Sequence, residues 1–252
     1  MSYVDQPNIA RVHTRTIIPA VMFKDDDIRF KYELSGGAAM DLGTYNVAAL
    51  RNTFGTEPEA CESCEMVKMP APYDQCDASY KATFRFPGGA VGELEGTHRS
   101  SLKELSSPTV TVTHRPVVVE GEGAAEGEET TRTRKVHFAN FMLSAFYHRI
   151  DIEDEFVVTN KETNQVVKTF VKKETKKAYT YQEMGVDQPS EIYWQTYRHM
   201  LEQFVNRVRG REGTGAFVSN EDSLAQMKAL DMMYEKSGLG LRPTSNFSPE
   251  SL

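Results

Sequence analysis

The sequence has few cysteines, a single tryptophan and no long apolar run. Three cysteines occur among 252 residues, and an odd number of them argues against a disulfide framework. No apolar run approaches the roughly 18 residues that a membrane-spanning helix needs. The first residues show no basic start followed by an apolar core, so we expect no signal peptide. Together these absences predict a cytoplasmic location.

A surplus of positive charge is also missing. Lysine and arginine number 29 and aspartate and glutamate 36, which gives a formal net charge of −7. Proteins that bind nucleic acid usually carry a basic surplus, so we expect no nucleic acid partner. Hydrophobic residues make up 39% and charged residues 26% of the chain, which is typical of a globular protein with a normal core.

Common catalytic and metal-binding signatures are absent as well. The sequence has no Gly-x-Ser-x-Gly element for a serine nucleophile and no His-Glu-x-x-His pair for zinc. Cys61-x-x-Cys64 together with Cys76 resembles a fragment of a zinc site, but a second pair of ligands is missing. Ordinary thiols on or after a strand are the favoured interpretation, and we expect no metal.

The most informative segment that is present runs from Leu34 to Gly55. Two adjacent glycines open it, apolar residues then recur every three to four positions, and Gly55 closes it. This spacing predicts a helix, and Gly55 suits the left-handed residue that ends one. Asp41 and Tyr45 are four positions apart and therefore project from the same helix face, one turn apart.

Asp41 and Tyr45 form a candidate acid/base pair. A tyrosine hydroxyl can donate a hydrogen bond to a carbonyl oxygen on which negative charge develops, and the carboxylate can orient Tyr45 or take up the proton. The alternative is structural. In it, Asp41 only interacts favourably with the dipole at the helix start, and Tyr45 packs in the core.

Strand patterns dominate the remainder of the chain. Alternating or β-branched segments predict strands, and the Pro87-Gly-Gly89 turn predicts a hairpin. The predicted strands cover residues 12–19, 80–86, 90–96, 109–119, 133–138, 147–158 and 165–171. The charged run at residues 172–177 is expected to be a solvated edge. Many strands in succession favour an α+β fold, a large and mostly antiparallel β-sheet with helices packed on one face.

Two helices are predicted near the C-terminal end. Ser190 is expected to cap the first, and Ser219 the second, which should end at Gly238. The first carries an apolar stripe that we expect to face the core. The residues of this stripe are Tyr193, Tyr197, Leu201, Phe204 and Val208.

The whole chain, residues 1–252, is expected to form a single domain. Residues 1–10 and 243–252 are predicted as loose ends, and residues 120–131 as a mobile acidic loop within a hairpin. A sheet of six or more strands has a second face, and an apolar second face would need a cover. We therefore expect a homodimer formed through the open face of the sheet.

Several segments, taken in order, are similar to one known family. They are Asp27 to Phe30, Leu34 to Tyr45, Arg51 with Phe54 to Pro58, Phe84 to Gly89, Thr111 to Pro116, Glu202 to Gly210 and Glu221 to Met227. The chain resembles the C-terminal domain of the Gfo/Idh/MocA oxidoreductases, in particular the fungal branch related to dihydrodiol and D-xylose dehydrogenases. Members normally begin with a dinucleotide-binding Rossmann domain, whose Gly-x-Gly-x-x-Gly fingerprint has no counterpart in this sequence.

The resemblance implies roles for particular residues. Asp41 and Tyr45 match the family's second catalytic motif, an aspartate followed four residues later by histidine or tyrosine. Arg29 lies in a matching segment, and aromatic and imidazole rings elsewhere could line a pocket. The candidate substrate-binding residues are Arg29, Phe146, His148 and Trp194.

Three functions are compatible with these observations. The first is a cofactor-independent enzyme that isomerises or cyclises a carbonyl-bearing secondary metabolite, for instance by cycloaddition, largely through orientation in a shaped pocket. The second is the substrate-binding and oligomerising half of a sugar or diol dehydrogenase, with NAD(P) supplied through a separate Rossmann domain. The third is a non-catalytic dimeric interaction module. The first is favoured, so the expected partners are a small-molecule substrate and a second subunit, with no cofactor, nucleic acid or membrane.

Overall fold

A computed structural model describes residues 3–243 of the chain. Its nine strands are β1 (Ile9–Pro19), β2 (Ala60–Lys68), β3 (Asp77–Phe86), β4 (Ala90–Ser100), β5 (Ser106–His114), β6 (Val117–Val119), β7 (Glu128–Ala139), β8 (Arg149–Asn160) and β9 (Val166–Lys176). Its α-helices are α1 (Thr44–Phe54), α2 (Thr196–Val208) and α3 (Asn220–Ser237). None of the helices in this part of the chain has the length and apolar character needed to cross a bilayer.

The strands form one sheet in the order β2-β3-β4-β1-β5-β7-β8-β9, with β6 paired to β7. The pairs from β2 to β4 and from β5 to β9 are antiparallel. This arrangement follows from the many strands that succeed one another without an intervening helix, since such strands pair through short connections. The predicted α+β fold with a large, mostly antiparallel sheet is confirmed.

The chain divides into two compact units. The first contains the chain up to Thr14 and Ser107–Asp222, and the second contains Arg15–Ser106 and the chain from Ser223 onward. A single domain over residues 1–252 stays a prediction. Of the ends expected to be loose, residues 1–2 and 244–252 lie outside the described residues, and β1 already begins at Ile9.

The second unit has its core between one sheet face and two helices. Buried residues alternate with more accessible ones along β3 and β4, as expected for strands with one covered face. The rings of Phe54 in α1 and Phe86 in β3 stack with centroids 3.9 Å apart. The predicted hairpin is confirmed, because β3 and β4 pair directly across the turn at Pro87–Gly89.

The first unit is built on β5 to β9. β7 and β8 pair along their whole length, from Glu128 opposite Asn160 to Ala139 opposite Arg149. β9 is the last strand in the order and has no buried residue, so the predicted solvated edge is confirmed. The single strand predicted over residues 109–119 is wrong, because β5 ends at His114 and β6 begins only at Val117. Pro116 lies in this break, and proline cannot donate to a strand ladder.

The acidic segment joins two paired strands. β6 pairs with β7 from Val117 opposite Arg132 to Val119 opposite Thr130, so the connection between them lies within a hairpin, as predicted. β7 begins at Glu128, and the ladder therefore includes the last residues of the 120–131 segment. The mobility of this segment stays a prediction.

The two C-terminal helices differ in how well the sequence predicts them. Gly238 follows α3 with a left-handed φ of 78°, and the backbone N–H of Asp222 donates to the Ser219 hydroxyl at 3.1 Å, so both predicted ends of α3 are confirmed. The prediction that Ser190 caps the first helix is wrong. α2 begins at Thr196, since the Ile192-Tyr193-Trp194 run consists of β-branched and aromatic residues of low helix propensity.

The apolar stripe of α2 does not face the core. Tyr197 and Val208 are 76% and 70% exposed, whereas Gln203 and Asn206 on the opposite side are buried. The side-chain amide oxygen of the buried Gln203 accepts a hydrogen bond from the backbone N–H of Thr214 at 2.7 Å. The expectation that the stripe packs inside is therefore wrong, because polar contacts with the segment after the helix determine which side is buried.

Candidate functional site

The candidate site begins at a π-helical turn. Ala39–Gly43 form this turn, and α1 continues from Thr44 without interruption. Gly37 precedes it with φ 131°, a backbone conformation that is readily available only to glycine. As predicted, α1 ends at Gly55, which has a left-handed φ of 68°. Single π turns are rare and are often found at functional sites, and this one carries Asp41.

Asp41 receives two charged or polar partners. Its Oδ2 lies 2.8 Å from Nε2 of His98 and accepts a hydrogen bond from Nε of Arg29 at 3.1 Å. Arg29 is held in turn by Asp27, at 2.9 Å. Burial raises the pKa of Asp41, but the hydrogen bond from His98 and the positive charge of Arg29 outweigh this effect, and the pKa lies below its usual value. Asp41 is therefore a carboxylate at neutral pH.

His98 belongs to the candidate site and was not among the predicted site residues. Its side chain is fully buried, and Phe23 and Phe30 contact it edge-on with ring centroids 5.5 and 5.7 Å away. Its Nδ1 is buried without a hydrogen-bond partner. Among the described residues, the one polar contact of the ring is therefore that of Nε2 with Asp41. The sequence feature that could have indicated its role is a histidine at an inward-facing position of β4, a strand with regular alternation.

Tyr45 lies one turn beyond Asp41. Its side chain is 49% exposed, so the alternative in which it packs in the core is wrong. The Asp41 side chain is 32% exposed and also reaches the surface. A phenol that can donate to a ligand thus reaches the surface four residues after a carboxylate that also reaches it. The catalytic roles of Asp41 and Tyr45 stay predictions.

A buried carboxylate fixes the start of the turn. Asp77 of β3 accepts hydrogen bonds from the backbone of Ala39 at 2.6 Å and from the Tyr234 hydroxyl at 2.9 Å. Arg242 lies 3.5 Å from it. Burial raises the pKa of Asp77 and exceeds the opposing effect of these donors. Asp77 thus connects β3, α3 and the turn that holds Asp41.

The remaining predicted site residues belong to the other unit. Phe146 is 67% exposed, and Trp194 lies under the Arg198 guanidinium, 3.9 Å from ring centre to Cζ. His148 is buried, and both of its ring nitrogens are engaged. Its Nδ1 lies 2.8 Å from the Ser144 carbonyl oxygen, and its Nε2 accepts from the backbone of Ala178 at 3.0 Å. Of the predicted substrate-binding residues, only Arg29 contacts Asp41, and the roles of all four stay predictions.

A cavity of about 190 Å³ lies near the turn in the second unit. Its lining residues are Phe30, Lys31, Tyr32, Glu33, Pro72, Tyr73 and Gln75. Neither Asp41 nor Tyr45 lines it, so the chemistry of the candidate site does not extend into this cavity.

Comparisons with known proteins agree with the fold. The aldose-aldose oxidoreductase of Caulobacter crescentus superimposes with a TM-score of 0.53 at 14% identity, over 92% of this chain and 54% of that one. Levoglucosan dehydrogenase superimposes with a TM-score of 0.55 at 12% identity, over 92% of this chain and 57% of that one. An NAD binding oxidoreductase of Klebsiella pneumoniae superimposes with a TM-score of 0.53 at 13% identity, over 94% of this chain and 58% of that one. Identities this low show the fold alone, and the chain spans little more than half of each of these structures.

Sequence comparisons match a smaller part of the chain than the structural superpositions do. A search of curated proteins gives no match. One family description matches, and it covers residues 6–123. This range includes the π turn, α1, Asp77 and His98, and therefore every side chain of the site except those of Tyr234 and Arg242. Residues 6–123 thus match the GFO/IDH/MocA C-terminal domain.

Proposed function

We propose that this chain supplies the substrate side of a sugar or diol oxidoreductase. It binds a polyhydroxylated carbonyl compound, or the alcohol derived from it, at the surface formed by Arg29, Asp41 and Tyr45. The observation that carries the proposal is the fixed contact of Asp41 with His98 and Arg29, one turn before the half-exposed Tyr45. Sugars present hydroxyl groups that suit a carboxylate, a guanidinium and a phenol.

Each side chain has a task that its contacts support. Tyr45 donates a hydrogen bond to the substrate carbonyl oxygen and provides the proton that this oxygen takes up on reduction. Asp41 is ionised, so it accepts a hydrogen bond from a substrate hydroxyl. His98 does not touch the substrate, because it is fully buried. It is a positioning residue that holds the carboxylate of Asp41 in one orientation.

The nicotinamide cofactor does not fit this chain's own residues. Dinucleotides bind where a glycine-rich turn joins a strand to a helix in a parallel βαβ unit, and the described residues contain no such unit with the Gly-x-Gly-x-x-Gly spacing. A nicotinamide would therefore be held by a dinucleotide-binding domain outside residues 3–243. The superimposed structures favour this division, since they are longer and one is named as a complex with NADH.

The substrate class is proposed from the same source. The superimposed proteins are named for aldose and levoglucosan, and one is named as a complex with L-sorbose. We propose a sugar or diol for this chain, in a cytoplasmic setting. The cofactor-independent isomerisation or cyclisation of a secondary metabolite stays a prediction, because no contact in the site favours it over oxidoreduction.

Ligand-observed NMR on the chain tests the proposal. L-Sorbose, D-xylose and trans-1,2-cyclohexanediol are added singly, and saturation transfer is measured for the protein and for the Tyr45→Phe and Asp41→Asn variants. We expect binding of at least one compound at millimolar concentration, weakened about tenfold or more when either side chain loses its polar group. Tyr193→Phe is the matched control, because Tyr193 is an exposed tyrosine of the other unit.

Two results would contradict the proposal. One is the absence of binding for all three compounds. The other is binding that Tyr45→Phe and Asp41→Asn leave unchanged. Saturable NADPH binding to the chain alone would overturn the separate location of the cofactor site. Conversion of a carbonyl compound to an isomer with no cofactor added would favour cyclase or isomerase activity instead.

A further inference from the structure

The second unit contains a pair of cysteines that the proposed function does not use. Cys61 and Cys64 both lie on β2, which is the first strand in the sheet order. Both are free thiols with intermediate exposure, whereas the third cysteine, Cys76, is buried. In a regular strand, side chains three positions apart point to opposite faces of the sheet. The two thiols of such a strand could not meet.

A β-bulge changes this geometry. The pairing of β2 with β3 shifts by one residue between Cys61 and Ser63. Cys61 lies opposite Phe84, and Cys64 lies opposite Ala82. Phe84 and Ala82 are two positions apart on a regular strand and are both buried, so they share one face. The extra residue of the bulge therefore places Cys61 and Cys64 on the same face.

Burial along β2 agrees with this assignment. Cys61, Cys64 and Met66 are partly buried, whereas Glu62, Ser63, Glu65 and Val67 between and after them are exposed. The Cys61 thiol turns back across the bulge and donates to the Ser63 carbonyl oxygen at 3.3 Å. The spacing along β3 gives a Cα separation for the cysteine pair of about 6.6 Å. This value is at the long end of the range of up to about 6.8 Å that disulfides span, so closure requires the bulge to bring the two Cβ atoms to within about 4.5 Å.

We propose that Cys61 and Cys64 form a redox-active dithiol that closes reversibly to a disulfide by exchange with a small-molecule disulfide. The described residues contain no group of three histidine, cysteine, aspartate or glutamate side chains placed to hold a metal ion, so a two-thiol reaction is preferred over metal binding. A bond that closes only when the bulge moves is strained, and strained, accessible disulfides are the readily reduced, regulatory ones.

The two thiols have different tasks. The hydrogen bond from Cys64 lowers the pKa of Cys61, in opposition to partial burial, and the positive charge of Lys236 in α3 contributes in the same direction. The same hydrogen bond, followed by burial, raises the pKa of Cys64. The positive charge of Lys236 favours Cys61 as the attacking thiolate, with Cys64 as the resolving thiol, and the single variants described below test this order.

The reaction balances in two steps. The Cys61 thiolate attacks one sulfur of the reagent, a new S–S bond forms, and the reagent's own S–S bond breaks to release one thiolate. Cys64 then loses its proton and attacks Sγ of Cys61, which expels the second half of the reagent as a thiol. The protein loses two electrons and two protons, and one small-molecule disulfide is reduced to two thiols.

Intact mass spectrometry after incubation with oxidised glutathione tests the proposal. We expect the protein to lose two hydrogens in mass, to recover them with dithiothreitol, and to yield a peptide that links Cys61 to Cys64. Phenylarsine oxide, a reagent that bridges two neighbouring thiols, should bind one equivalent. Cys76→Ser is the matched control, because Cys76 is buried and should behave as the unchanged protein.

Single variants at the pair separate the two roles. Cys64→Ser should stop at a mixed disulfide of Cys61 with glutathione, and Cys61→Ser should react about tenfold or more slowly, at Cys64. Circular dichroism confirms that each variant is folded, and Cys64→Ala serves if the serine variant is not. The proposal is overturned if the unchanged protein accumulates only mixed disulfides, if Cys76 enters the bond, or if no thiol reacts.

Discussion

Asp41 and His98 are 57 residues apart in the chain, yet Nε2 of His98 lies 2.8 Å from Oδ2 of Asp41. The carboxylate comes from the π turn before α1, and the imidazole comes from the inward face of β4. One contact therefore attaches the start of a helix to the middle of a sheet. Because His98 has no other polar partner, its orientation depends on Asp41.

Removal of this imidazole should destabilise the second unit. His98→Ala deletes a fully buried ring and leaves Asp41 with the hydrogen bond from Arg29. We expect a loss of about 2–4 kcal/mol in the free energy of unfolding, measured by urea denaturation. A double-mutant cycle with Asp41→Asn isolates the pair, and a coupling of about 1 kcal/mol is expected. Additive effects of the two substitutions would show that the contact contributes nothing.

The ionisation of Asp41 should appear in the pH dependence of stability. Its pKa is lower in the folded protein than the roughly 3.9 of an unfolded chain. The ionised form is therefore favoured by folding, and its contribution is complete above the unfolded value and is lost as the pH falls through the folded value. The unfolding temperature is measured between pH 2 and 6. Toward acid pH it should decrease less steeply in Asp41→Asn than in the unchanged protein. Identical slopes would contradict the lowered pKa.

Local features of the site could be predicted from the sequence, whereas its long-range contacts could not. Gly55 ends α1 as its position after the periodic segment predicts, and Tyr45 follows Asp41 on the same helix. These features depend on residues a few positions apart. His98 and Asp77 approach the turn from other strands, 57 and 38 positions away from their partners. Only strand pairing brings them there, and a single sequence does not specify that pairing.

The prediction for α2 failed for a related reason. Its apolar periodicity correctly indicated a helix, but periodicity shows only that one side differs from the other. Which side is buried depends on the neighbouring segment, and here the Gln203 amide oxygen accepts from the Thr214 backbone on the covered side. That contact satisfies the amide oxygen, whereas Nε2 of the same side chain is buried without a partner.

Asp77 should matter more for stability than its distance from the surface of the site suggests. Asp77→Ala leaves the Ala39 N–H, the Tyr234 hydroxyl and the Arg242 guanidinium without their shared acceptor. We expect a loss of about 3–5 kcal/mol in the free energy of unfolding, because one partner of a buried charged network is removed. Asp77→Asn keeps one acceptor oxygen and should cost clearly less. Equal losses for both variants would show that the retained oxygen and the size of the side chain contribute nothing, and that the negative charge of Asp77 is what stabilises the network.

A homodimer through the open face of the sheet remains our proposal for the first unit. Val110 and Val112 of β5 are buried on one face, so Thr111 and Thr113 of the same strand point to the other. That face holds a shallow cavity of about 180 Å³ lined by Arg11, His13, Thr111, Thr113 and Lys135. This face is polar and can therefore contact water, whereas an apolar face would have to be covered. A dimer here would therefore form by matched polar surfaces.

Light scattering at micromolar concentration measures this association. We expect a mass of two chains, and Thr113→Glu should reduce it to one, because equal charges would oppose each other across a symmetric interface. Phe204→Glu is the control, since Phe204 belongs to the exposed stripe of α2. A monomer at every concentration contradicts the proposal. Dissociation by Phe204→Glu alone would assign the contact to α2.

Gly37 tests how closely the start of the turn is packed. A methyl group added there would collide with Oδ1 of Asp77, lie 2.7 Å from the Arg242 guanidinium and lie 3.2 Å from the Tyr234 hydroxyl. Gly37→Ala should therefore cost the strain of an alanine at φ 131°, about 1–3 kcal/mol, together with disruption of the Asp77 contacts.

Gly88 provides the matched control for this substitution. It also has a positive φ, 72°, but a methyl group there meets no atom within 4 Å. Gly88→Ala should thus cost only the backbone term of about 1–2 kcal/mol. Urea denaturation of both variants gives the difference directly, and we expect Gly37→Ala to lose at least about 2 kcal/mol more. Equal losses would mean that the turn can move away from Asp77 without cost, and that the network does not hold Asp41 in place.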